Sequence, residues 1–134
     1  MSKGIIHRDL KPANILIKDE FYKIADFGFA KVTEGEKEDE RVHQTAVGSP
    51  LYMCPQILNG MKYSNKCDVW SMGIIIYELL FGKPPYLAKS FNELVAVINK
   101  KSPLKFPIVL NTKGLEQILK KMLEYDEKDR ISWK

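Results

Sequence analysis

Residues 68–82 form the stretch that most narrows what this chain can fold into. Val69, Trp70, Met72, Ile74, Ile75, Ile76, Tyr77, Leu79, Leu80 and Phe81 leave no polar face on a helix drawn through them. A helix that is apolar all round needs neighbours on every side, so it belongs at the centre of a protein. Its shortness and Glu78 exclude a membrane span, which takes about 20 apolar residues. Gly82 and Lys83-Pro84-Pro85 end it, since glycine accepts a left-handed closing turn and proline lacks the next amide. Asp68 stands where a carboxylate caps the first turn.

Two further helices are expected to pack on this one. Ser90-Phe91-Asn92-Glu93 is a capping box, followed by Phe91, Leu94, Val95 and Ile98 at helical spacing. Leu115, Ile118, Leu119, Met122 and Leu123 repeat that spacing, and Pro103 and Pro107 punctuate the loop between. Such stripes are core or partner-docking faces. Near the amino terminus the pattern changes to short β-type runs, Ile15-Leu16-Ile17 and Phe21-Tyr22-Lys23-Ile24, joined by Lys18-Asp19-Glu20 in what reads as a hairpin. With 134 residues and 45% hydrophobic side chains, the chain suggests one domain with a real core, α+β and mainly helical.

The chemistry gathers in His7-Arg8-Asp9-Leu10-Lys11-Pro12-Ala13-Asn14. Asp9 is a base for a hydroxyl proton, and Asn14 carries a carbonyl oxygen suited to a hard divalent cation. Lys11 is placed to neutralise a transferring phosphoryl group. The hairpin sets Asn14 at one end and Asp26 at the other, so two oxygen ligands meet in a credible Mg²⁺ site. Ile5 and Ile6 lead into this loop as apolar anchors.

The order H-R-D-L-x-x-x-N is the catalytic-loop pattern of protein kinases, and Asp26-Phe27-Gly28 is their D-F-G triplet. Gly48-Ser49-Pro50-Leu51-Tyr52-Met53-Cys54-Pro55-Gln56 resembles the block closing a kinase activation segment. Asp68-Val69-Trp70-Ser71-Met72-Gly73 resembles the start of the helix at the centre of the kinase C-lobe. The chain is thus identified as the C-lobe portion of a Ser/Thr protein kinase catalytic domain, over residues 1–134. The resemblance implies transfer of the γ-phosphoryl of ATP, with Mg²⁺, to a protein hydroxyl. Asp9 would orient and deprotonate the acceptor, Lys11 stabilise charge, and Asn14 and Asp26 hold the metal. It assigns His7 to support of Asp26, Gly28 to a structural place in the triplet, Asp68 to holding the catalytic-loop backbone, and Ser49 to bonds with Asp9 and Lys11. Arg8 marks kinases whose activation loop is organised by a phosphate, here expected on Thr45, with Thr33 second. Ala25-Asp26-Phe27-Gly28-Phe29-Ala30 and Gly48-Ser49-Pro50-Leu51-Tyr52-Met53 are similar in wording to the autophagy-initiating kinases.

Two positions depart from the family pattern, which has Ala at Cys54 and Glu at Gln56. The family glutamate pairs with a buried arginine, matched here by Arg130, so Gln56→Glu is expected to raise the melting temperature. No G-x-G-x-x-G loop and no V-A-I-K lysine precede His7, so the chain holds about half of a kinase domain and is expected to be inactive alone. It reads as an excerpt of an ordinary kinase. The competing reading is a short non-catalytic module that docks regulatory proteins on its exposed helices. A net charge of +4 is scattered and not interleaved with aromatics, which argues against nucleic acid. The block Glu34-Gly35-Glu36-Lys37-Glu38-Asp39-Glu40-Arg41 reads as a mobile solvated loop; a sharper alternative has its carboxylates partly occupy the basic pocket at Arg8 before phosphorylation. Cys54 and Cys67 are expected to be reduced, small buried side chains of a cytoplasmic protein.

Overall fold

Two antiparallel strand pairs frame the first part of the chain in a computed structural model that describes residues 4–33, 49–107 and 113–133. The strands are β1 (Gly4–Ile6), β2 (Ile15–Lys18), β3 (Phe21–Ile24) and β4 (Lys31–Thr33). β2 and β3 pair with Lys18 opposite Phe21, leaving Asp19 and Glu20 as a two-residue turn. Both turn residues have positive φ, 51° and 65°, the left-handed backbone that matches the twist of a tight hairpin. β1 and β4 pair with Ile5 opposite Val32 and so clamp the two ends of the segment that contains the hairpin.

Helices make up the rest. A 3₁₀ turn at Pro50–Tyr52 leads into the short α1 (Pro55–Leu58); α2 (Lys66–Phe81), α3 (Phe91–Asn99) and α4 (Lys113–Met122) follow. α2 is the apolar stretch of the sequence, and Val69, Trp70, Ile74 and Ile75 on it are at most 2% exposed. Each such side chain contributes about 1.5–3 kcal/mol by leaving water. Gly73 sits where α4 crosses: a Cβ there would lie 2.9 Å from the Leu123 side chain and 3.1 Å from Met122 Cβ. The far end of α2 is different, since Leu79 is 77% exposed. The core around α2 draws in Ile6, Met53, Leu58, Tyr63, Leu94, Ile98 and Leu123.

Local expectations are met with two corrections. Ser90 Oγ accepts from Glu93 N at 3.2 Å as a cap should, while the Glu93 carboxylate accepts from Lys89 N at 2.7 Å, one residue beyond a standard box. α2 begins at Lys66, with Asn65 before it, and Asp68 does not cap it. Both Asp68 oxygens are instead bonded to the catalytic loop. The second correction concerns the cysteines. Cys54 and Cys67 are not two separate thiols; they form a disulfide with Cα atoms 5.3 Å apart, and both are fully buried. Their separation of 13 carries no sign of contact, because only the path through α1 and the turn at Gly60 folds Cys54 back onto α2. Among the described residues no helix is long and apolar enough to cross a membrane.

Candidate active site

Pro12 starts a 3₁₀ turn, Pro12–Asn14, that reverses the chain directly after Lys11. The reversal swings Asn14 under Asp9. Asn14 Nδ2 donates to the Asp9 carbonyl at 2.8 Å and to Asp9 Oδ2 at 3.1 Å. Lys11 Nζ reaches the same Oδ2 at 2.8 Å. Asp9 and Asn14 are both buried, so these bonds act in a medium poorer in water than the surface. Asp9 Oδ1 takes no part in them and is the oxygen left to accept a proton.

Asp26 is brought to the same end of the hairpin. Ala25 N donates to Asn14 O at 2.8 Å, closing the strand pair and setting Asp26 one residue further on. Asp26 has φ 60°, an uncommon backbone for a non-glycine residue, and Oδ1 accepts from Gly28 N at 3.2 Å. A Cβ on Gly28 would come within 3.1 Å of that Oδ1, so a side chain there would crowd the carboxylate. His7 joins the two halves. Its Nε2 donates to Ala25 O at 3.1 Å, Asp9 N donates to its Nδ1 at 3.4 Å, and its ring meets Phe27 edge-on at 4.9 Å. With Nδ2 of Asn14 engaged, its Oδ1 and the exposed carboxylate of Asp26 are hard oxygen donors that fit a magnesium ion.

Asp68 fastens this loop from below. Oδ2 accepts from His7 N at 2.7 Å and Oδ1 from Arg8 N at 3.0 Å, with Arg8 held at φ 69°. Burial pushes the Asp68 carboxyl above the usual range, and the two N–H bonds together with the His7 and Arg8 charges pull it back. The Arg8 guanidinium donates through Nε to the Phe29 carbonyl and through Nη1 to Tyr63 Oη at 3.4 Å. Tyr63 carried no signal in the sequence, being a lone tyrosine between α1 and α2.

Not every expected contact forms. The Ser49 hydroxyl makes no hydrogen bond to Asp9 or Lys11; Lys11 and Asn14 share Asp9 Oδ2, and Oδ1 stays open. Ser49 lies close by, lining one small void with Arg8, Asp9 and Asp68. Thr45, Gly48, His43 and the acidic block 34–41 lie outside the described residues. After Ser49 the chain is held to α2 by side chains the sequence did not single out. Ser71 Oγ donates to Tyr52 O at 2.7 Å, and Tyr52 Oη to Glu78 Oε2 at 2.7 Å. Burial and the Glu78 carboxylate push the Tyr52 phenol up.

Arg130 is 2% exposed, and among the described residues it donates only to neutral oxygens. Nε goes to Glu124 O at 2.9 Å, Nη1 to Lys66 O at 3.1 Å, and Nη2 to Gln56 Oε1 at 2.9 Å and Tyr125 O at 3.1 Å. Burial lowers its pKa to about 10, against the charges of Glu127, Glu124 and Asp126. Gln56 Nε2 donates in turn to Tyr125 O at 2.8 Å, so the pocket uses both ends of the amide. Gln56→Glu supplies the missing countercharge but turns that N–H···O bond into a contact between two oxygens. The gain of a charge-assisted bond over a neutral one therefore shrinks to about 1 kcal/mol or less. Urea denaturation of wild type and variant should show that small rise; a fall would mean the amide–carbonyl bond outweighs the ion pair.

The protein kinase domain family matches residues 1–134, and the chain belongs to that family. It is similar to serine/threonine-protein kinases, among them the ATG1/ULK group. It is 40% identical to serine/threonine-protein kinase atg1 of Dictyostelium discoideum over 135 residues, covering 98% of this chain and 19% of that one. Identity to serine/threonine-protein kinase ULK1 of Homo sapiens is 38%, over 98% of this chain and 13% of the relative. Serine/threonine-protein kinase 33 of Mus musculus is 37% identical, over 99% of this chain and 29% of its own length. The chain thus spans less than a third of each of these relatives.

Proposed function

We propose that this chain is the C-lobe portion of a Ser/Thr protein kinase that transfers the γ-phosphoryl of ATP to protein hydroxyls. The observation that carries the reading is the Asn14 amide, which bonds Asp9 through Nδ2 while its backbone oxygen pairs with Ala25 beside Asp26. Proton acceptor and metal donors are thereby tied into one rigid piece. In this reading Asp9 orients the acceptor hydroxyl and takes its proton. Lys11 holds the Asp9 carboxylate in place and lends positive charge to the transferred group. Asn14 and Asp26 would hold Mg²⁺, which when bound neutralises phosphate charge. Ser49 borders the acceptor's path.

The chain alone is proposed to be inactive, and to work in the cytoplasm within a longer protein. Ile17, Phe21 and Tyr22 on the hairpin are 70–76% exposed, an apolar surface that calls for a covering lobe. A phosphate on Thr45 would pair with Arg8 and order the activation segment. Fusing the chain to an upstream lobe with a Gly-rich loop and a strand lysine tests the whole reading. ³²P transfer from ATP to a Ser/Thr substrate, absent for the chain alone, is the expected result. No transfer from a folded, ATP-binding fusion would favour a docking module that binds proteins through the same apolar surfaces.

A further inference from the structure

A cleft of about 330 Å³ lies over Trp70 of α2, between the end of α3 and the end of α4. Asp9, Asn14 and Asp26 do not line it. Its volume falls within the range of small-molecule sites, about 300–1,000 Å³. The floor is made by Trp70, Tyr86, Ile98 and Leu123. Trp70 is 1% exposed, and its Nε1 is the one buried side-chain nitrogen or oxygen among the described residues with no hydrogen-bond partner. The faces of its ring are engaged: Tyr86 stacks on it with planes 6° apart, and Arg130 Cζ lies over it, 5.1 Å from the centroid. What Trp70 presents to the cleft is therefore its edge, and the edge carries the N–H. A buried donor without an acceptor costs free energy that an incoming acceptor recovers.

The lining also selects the charge of what can enter. Lys101 and Lys120 line the cleft together with Glu124 and Asp126, two charges of each sign, and Lys101 Nζ already pairs with Asp126 Oδ1 at 3.3 Å. That balance favours neither an anion nor a cation. The interior at Trp70 disfavours charge of both signs as well. Burial, with Tyr77 and Glu124, pushes the Tyr86 phenol up to about 12, and burial lowers Arg130 to about 10 against its neighbouring carboxylates. Both shifts run toward the uncharged form. A flat apolar body suits Tyr86, Ile98 and Leu123, and a single acceptor satisfies the indole. We infer that this cleft binds an uncharged, planar aromatic compound whose carbonyl oxygen accepts from Trp70 Nε1. The Arg130 guanidinium over the same ring donates to Gln56 Oε1 at 2.9 Å, so occupancy also bears on Gln56, at the end of the segment after Ser49.

The test needs no phosphotransfer and stands apart from the kinase reading. Naphthamide is titrated into the ¹⁵N-labelled chain, with naphthoate and naphthylmethylammonium as probes of the same ring bearing either charge. Trp133→Phe tells the two indole N–H signals apart, since Trp133 is exposed. Naphthamide should move the Trp70 indole signal saturably, with a Kd of about 1 mM or tighter. Neither ion should bind within about fivefold of it, because each would have to shed its water in the cleft. Trp70→Phe deletes the N–H and should weaken naphthamide by about fivefold or more; if that variant does not fold, the wild-type titrations decide. An indole signal that does not move or does not saturate, an ion that binds as tightly as the amide, or unchanged affinity in a folded Trp70→Phe would overturn the site.

Discussion

Asp9→Asn, made in a protein that carries this segment inside a complete kinase domain, is expected to lower kcat by about three decades. The KM for ATP should move only a few-fold. Asparagine keeps the volume and one oxygen, which can still receive Lys11 Nζ and Asn14 Nδ2 from 2.8 Å and 3.1 Å away. It cannot take the hydroxyl proton. Asp9→Ala removes that oxygen as well, taking the carboxylate from Lys11 Nζ and one of two acceptors from Asn14 Nδ2, which keeps the backbone carbonyl; Asn14 is held less firmly and the KM for ATP should rise too. The contrast between the two variants separates proton acceptance from positioning. Steady-state kinetics with a peptide substrate read both constants. An Asp9→Asn enzyme that keeps more than about a tenth of its kcat would remove Asp9 from the role of base.

Much of this site was legible in the sequence because its parts lie close in the chain. Asp9, Lys11 and Asn14 fall within six residues, and one 3₁₀ turn suffices to bring them together. The hairpin was legible for a similar reason: its β-type runs flank a turn of only two residues. The central helix announced itself by being apolar on every side. What stayed hidden depends on contacts between distant segments. The Cys54–Cys67 pair, the Tyr52–Glu78 bond and the bracing of Arg8 by Tyr63 have no spacing that announces them. Gln56 is the instructive middle case. Its departure from the family pattern was visible, but the use of its second amide group by the Tyr125 carbonyl was not. Ser49 went the other way, since a resemblance supplies partners without saying that Lys11 Nζ is already turned onto Asp9 Oδ2.

Asp68→Ala should destabilise the chain by about 2–4 kcal/mol, because one buried and one part-buried backbone donor lose their acceptors at once. The donors are His7 N and Arg8 N, and among the described residues no other acceptor bonds to them. Against a typical domain stability of about 5–15 kcal/mol, that loss is large enough to melt the catalytic loop before the rest. Asp68→Asn keeps one oxygen and should lose roughly half as much. Its amide also gives the pH dependence a sign. Burial, the largest influence, raises the folded carboxyl above its ordinary value, so the fold favours the protonated form. That contribution is fully present below the ordinary carboxylate pKa, about 3.9, and is lost as pH rises through the higher folded value. The advantage of wild type over Asp68→Asn should therefore be greatest in acid and shrink as pH climbs from there. Urea midpoints for both chains across the acid range measure it. An advantage that grows with pH would mean that the His7 and Arg8 amides, holding the carboxylate charged, outweigh its burial.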